Sequence, residues 1–135
     1  MEGERKKSYR VGVHSKMEVM HFLVGDFGEE TVPHSHDYLV EWVCTASSLD
    51  ENGFSVNIAV MEEILAREVE FLKGRILNDL PYFRTKQTSV ENFAEYLLST
   101  LMNRLKESEG TETIRSAEVI VRESSTAWAS CQIEG

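Results

Sequence analysis

The stretch HSHDYLVEWVCTASS, His34–Ser48, reads as a β-strand, and that reading decides the rest. In a strand, residues i and i+2 point to the same face, so His34 and His36 present two imidazoles side by side. Alone, such a pair reads as surface histidines at a strand end more often than as metal ligands. A third histidine changes the weighing. Upstream, YRVGVHSKMEVMHFLV (Tyr9–Val24) is a second strand-like run, and His21 lies late in it. The intervening GDFGEETVP is a loop punctuated by Gly25, Gly28 and Pro33, so the two runs are expected to form a hairpin. That hairpin brings His21 near His34 and His36. Three neutral imidazoles with an open fourth position are the pattern of a catalytic zinc site, whereas a structural site is closed. His14 is seven residues from His21, too far along the strand to join them, and reads as a structural or surface residue.

Downstream, Asn57 is a plausible N-cap for IAVMEEILAREVEFL, where Ile58, Met61, Leu65, Val69 and Leu72 share one face at helical spacing. KGRILNDLPYFRTKQ is an irregular connection. A second helix is expected from TSVEN, with Thr88 and Glu91 as a capping box and Phe93, Leu97, Leu101 and Leu105 as the apolar stripe. SEGTET is a turn, and IRSAEVIVRE and STAWASCQI read as a closing hairpin through Ser124 and Ser125. The order strand, strand, helix, helix, strand, strand predicts an α+β fold: a four-stranded antiparallel sheet with two helices on one face. One domain over residues 1–135 is the natural unit at this length. Such a sheet keeps two open edges, which invite pairing between chains, so a homo-oligomer is expected.

The net charge of −9 argues against general nucleic-acid binding, which needs a basic footprint. No apolar run approaches a membrane span, and MEGERKKSYR lacks a signal-peptide core, so the expected location is cytoplasmic. Cys44 and Cys131 form no CxxC pair and no disulfide framework.

His21, HSHDY (His34–Tyr38), LNDLPYF, TSVEN and VIVRESSTAW, in this order, resemble the 6-pyruvoyltetrahydropterin synthase and 6-carboxytetrahydropterin synthase family. The resemblance runs from about Tyr9 to Ser130. It implies the tunnelling fold, in which three subunits close a barrel of sheets and two trimers stack into a hexamer. It implies zinc held by His21, His34 and His36. It also implies a pterin anchor at Glu123, whose carboxylate can accept two N–H donors from an aminopyrimidinone ring. Ser89 and Glu91 match the segment beside the pterin; a helix cap is the competing reading of both. Without the resemblance, Glu123 reads as a solvated turn residue.

Two family features are missing. The loop before HSH carries no cysteine, and Cys44 and Cys131 lie elsewhere in the chain. Lys73 and Gly74 stand where the family has an Asp-His pair that relays protons. Some members carry glutamate in place of the cysteine and are linked to cleavage of the dihydroneopterin side chain in folate synthesis. Here Glu29 and Glu30 occupy that loop, and Glu30, four residues before His34, is the candidate general base. The expected activity is a zinc-dependent lyase acting on a dihydropterin. The alternatives are a catalytically lapsed hexameric protein that binds a pterin or purine-like ligand, and an unrelated hydrolytic or lyase reaction at the same metal.

Overall fold

A computed structural model of the protein describes residues 5–108 and 110–135. Its elements are β1 (Tyr9–His21), β2 (His34–Ala46), α1 (Ile58–Leu72), α2 (Val90–Ser108), β3 (Ile114–Arg122) and β4 (Trp128–Glu134). The strands form one antiparallel sheet in the order β1-β2-β3-β4, which is the expected α+β arrangement. Within the turn expected at SEGTET, Glu109 lies outside the described residues, as do residues 1–4 of the amino-terminal stretch.

Alternation builds the core. In β1 the odd-numbered Val13, Met17, Val19 and His21 turn inward; in β2 the even-numbered Tyr38, Val40, Trp42 and Cys44 do the same. Both helices cover this inner face, α1 against β1 and α2 against β3 and β4. Phe93, Leu97, Leu101 and Leu105 of α2 are fully buried, as their spacing predicts. Removing such side chains from water is the main stabilising contribution, about 1.5–3 kcal/mol each.

Asn57 caps α1, its side chain accepting from the Val60 N–H. The buried face of α1 is Met61, Ile64, Leu65, Glu68 and Leu72, rotated from the expected one. Ile58 is exposed and Val69 only half-buried, while Glu68 is buried completely. The carboxylate of Glu68 accepts a 2.6 Å hydrogen bond from the Tyr96 hydroxyl, and its other oxygen lies 3.4 Å from the Arg104 guanidinium. This joins α1 to α2 and offsets the desolvation of the charge. Gly74, at φ 78°, ends α1 in the left-handed conformation that follows many helix C-termini.

Several boundaries differ from the sequence reading; β2, for one, ends at Ala46 rather than Ser48. β1 ends at His21, not Val24, because side chains take over the ladder: the Asn78 amide bonds both backbone groups of Phe22, and the Gln87 amide both of Val24. Ser89 caps α2, its hydroxyl accepting from the Asn92 N–H at 3.1 Å, so the Thr88–Glu91 capping box does not form. The Thr88 hydroxyl instead donates to Phe22 O. The closing hairpin turns through a wider loop, Glu123 N–H donating to Ala127 O, and β4 starts at Trp128 rather than Ser125.

Candidate metal centre and cavity

The β1–β2 register sets His21 directly opposite His34, with His36 one same-face step further along β2. The three rings meet with centroids 4.6, 5.1 and 4.8 Å apart. His14 lies on the opposite, exposed face of β1 and takes no part. Among the described residues, one group has the composition and closeness to hold a metal ion: His21, Glu30, His34 and His36, with candidate ligand atoms all within 4.8 Å of one another.

Hydrogen bonds fix two tautomers. His21 Nδ1 lies 2.9 Å from Thr88 O and 3.1 Å from its hydroxyl; a carbonyl only accepts, so Nδ1 carries the proton. His34 Nδ1 likewise donates to Val32 O at 2.7 Å. Both Nε2 atoms therefore present lone pairs to the cluster, and both are buried without a hydrogen-bond partner. Such orphaned acceptors are rare unless an ion or water satisfies them. Histidines that ligate metals commonly donate their other N–H to a carbonyl in this way. Burial, and then the neighbouring His34, push the His21 pKa below its ordinary value, which keeps the ring neutral and fit for a cation. His36 stacks on buried Tyr38 at 5.1 Å, which steadies its ring. The donor set therefore fits zinc.

A 3-10 turn over Gly28–Thr31 delivers Glu30. Gly28 opens it at φ 60°, a conformation strained for other residues. Both glutamates are exposed, but Glu30 Oε2 reaches within 3.0 Å of His34 Nε2, whereas Glu29 lies outside the group.

Beside the cluster opens a cavity of about 570 Å³ lined by His21, His36, Glu30, Phe27, Ser89 and Glu123 among others. The β1–β2 hairpin, the start of α2 and the β3–β4 turn thus converge on one space. Tyr38 registers two of them: burial and then the negative charges of Glu123 and Glu30 push its hydroxyl pKa up. Glu91 is exposed in the first turn of α2; unlike Ser89 it does not line the cavity, and it does not close the capping box of the competing reading either. Neither cysteine approaches the site. Cys44 pairs with Val11 at the far end of the sheet, where burial pushes its thiol up to about 12; Cys131 is on β4. Lys73 and Gly74 are exposed at the end of α1. Spacing alone did not reveal Thr88, which holds His21, or Gln87 and Phe27, which line the cavity, as parts of the site. No helix among the described residues is long and apolar enough to cross a membrane.

Comparison with solved structures shows the tunnelling fold. The chain matches 6-pyruvoyl tetrahydropterin synthase from Plasmodium vivax with a TM-score of 0.78 at 17% identity, covering 96% of this chain and 99% of that one. The Plasmodium falciparum synthase matches at 0.77 and 18%, over 95% and 99%. The Caenorhabditis elegans synthase matches at 0.71 and 16%, over 98% and 99%. Also similar, at 0.77, are two P. vivax variants in which a glutamate described as a catalytic residue is replaced by alanine or cysteine. No curated protein matches the sequence significantly. The profile of the family described as 6-pyruvoyl tetrahydropterin synthase matches residues 10–134, and the chain belongs to that family.

Proposed function

We propose that this protein is a zinc-dependent lyase acting on a dihydropterin, with His21, His34 and His36 as ligands, Glu30 as proton carrier and Glu123 as pterin anchor. The observation that supports it most is the convergence of Glu30, Ser89 and Glu123 on the cavity beside the three histidines. Bound zinc supplies a Lewis acid that polarises a substrate oxygen. Glu123 accepts the paired N–H donors of the aminopyrimidinone edge and so orients the ring. Half-exposed Phe27 gives the cavity an apolar wall. Glu30 takes a proton from the side-chain hydroxyl or the adjoining carbon as a carbon–carbon or carbon–oxygen bond of that side chain breaks. The catalytic glutamate named for the P. vivax synthase supports a carboxylate in this role. We further propose a hexamer of two trimers.

A second reading has its own observation. Lys73 and Gly74 stand exposed where the family's proton-relay pair would be, which favours a lapsed site that binds pterin without turnover. Incubation of the zinc-loaded protein with dihydroneopterin and with its triphosphate, followed by product mass, separates the two. Loss of side-chain carbons or of the phosphates supports the lyase. Unchanged mass for both substrates, with measurable binding, selects the binding protein.

A further inference from the structure

We propose that Glu30 is a fourth metal ligand in the resting protein, and that substrate reaches the metal by displacing it. This rests on the reading that the three histidines hold a metal. Three acceptors face one another here without a donor between them. The Nε2 atoms of His21 and His34 carry lone pairs, because each Nδ1 proton is committed to a backbone carbonyl. Glu30 Oε2 stands 3.0 Å from His34 Nε2. A carboxylate oxygen against an imidazole lone pair is repulsive unless a positive centre lies beside both. A proton shared by that pair would leave His21 Nε2, buried and unpartnered, unsatisfied. One cation serves all of them.

The distances agree. Ligands bound at about 2.0–2.1 Å in a tetrahedron lie about 3.3 Å from one another. The His34–Glu30 separation is already of that size, and the widest spread in the group is 4.8 Å, so side-chain movement of ~1.5 Å closes it.

The backbone aims the carboxylate. Leu23 N–H donates to Glu30 O at 2.7 Å, and Glu30 N–H donates to Phe27 O at 3.2 Å. The Thr31 hydroxyl closes the turn on Gly28 O at 2.7 Å. Glu30 is thus held at both backbone groups, while its side chain remains at the mouth of the cavity. Three histidines and a carboxylate make a closed four-coordinate set. A substrate oxygen taking its place would leave the carboxylate beside the group it must deprotonate, so one residue would serve as resting ligand and then as base.

Cobalt(II), added alone to metal-free protein, is the probe, with zinc in competition. Glu30→Gln should weaken cobalt and zinc binding at least about tenfold, the lower end of what even outer-shell partners contribute. It should also change the cobalt absorption spectrum, because a carboxylate leaves the coordination sphere. Glu29→Gln should change neither. Unchanged affinity and spectrum in Glu30→Gln, with His34→Ala strongly weakened, overturn this proposal and leave the three-histidine site standing. Unchanged binding in His34→Ala overturns the metal reading itself, and this proposal with it. Absence of turnover in the wild type bears on the lyase reading alone, since the affinity and the spectrum need no substrate.

Discussion

At the scale of single residues, two adjacent glutamates have different fates because of one turn. The 3-10 turn after Gly28 sends Glu30 to the histidines and leaves Glu29 in solvent. Removing a general base typically lowers rate by about 10²–10⁴-fold. Glu30→Gln should therefore lose at least about a hundredfold in turnover of a dihydropterin, and Glu29→Gln little; equal losses would dissociate the turn from the chemistry. The histidine cluster was legible in the sequence because strand alternation has a period of two and the hairpin register follows from it. Thr88 was not legible. It lies 67 residues from His21 in the chain, and only the fold brings its carbonyl and hydroxyl to Nδ1. Because burial holds the folded His21 pKa below 6.5, the unfolded chain binds more protons as pH falls through that value. Metal-free protein should thus lose stability on going from neutral pH to below 6.5, and His21→Gln should flatten this slope in thermal melts. An identical slope in the variant would show that His21 does not contribute.

At the scale of elements, the strands and helices were readable from apolar spacing, and their ends were not. β1 stops at His21 because the amides of Asn78 and Gln87 substitute for a neighbouring strand, which no local pattern reports. The buried face of α1 is turned from the one that apolar spacing alone picks out: Ile58 is exposed, and Glu68 faces inward because α2 supplies Tyr96 and Arg104 as partners. The cap of α2 shifted one residue to Ser89, since Thr88 is engaged with β1's end. Ser89→Ala should lower stability by about 1 kcal/mol, the usual worth of an N-cap, in urea unfolding. No change would mean the Asn92 N–H finds water equally well. In the loop after β3, Glu123→Gln should weaken pterin binding by on the order of 1.5–3 kcal/mol, the contribution of a charged hydrogen bond. Equal calorimetric affinities for variant and wild type would remove Glu123 from the anchor role.

At the scale of the whole molecule, the sheet has one covered face and two outer strands, β1 and β4, each paired on one side only. Unpaired edges of this length are a liability that closed assembly removes. Light scattering should give a mass six times that of the 15.4 kDa chain; a stable monomer at micromolar concentration would contradict it. The architecture was legible early, because six elements in that order admit few arrangements. The cavity was not, because it exists only where the β1–β2 loop, the start of α2 and the β3–β4 turn meet. Every role assigned to that cavity depends on His21, His34 and His36 holding an ion. Elemental analysis of zinc-loaded, dialysed protein tests this most directly. The prediction is about one zinc per chain, with His21, His34 and His36 among its ligands, and loss of that zinc in His34→Ala. A wild type that retains no metal, or a His34→Ala variant with undiminished zinc, would contradict it.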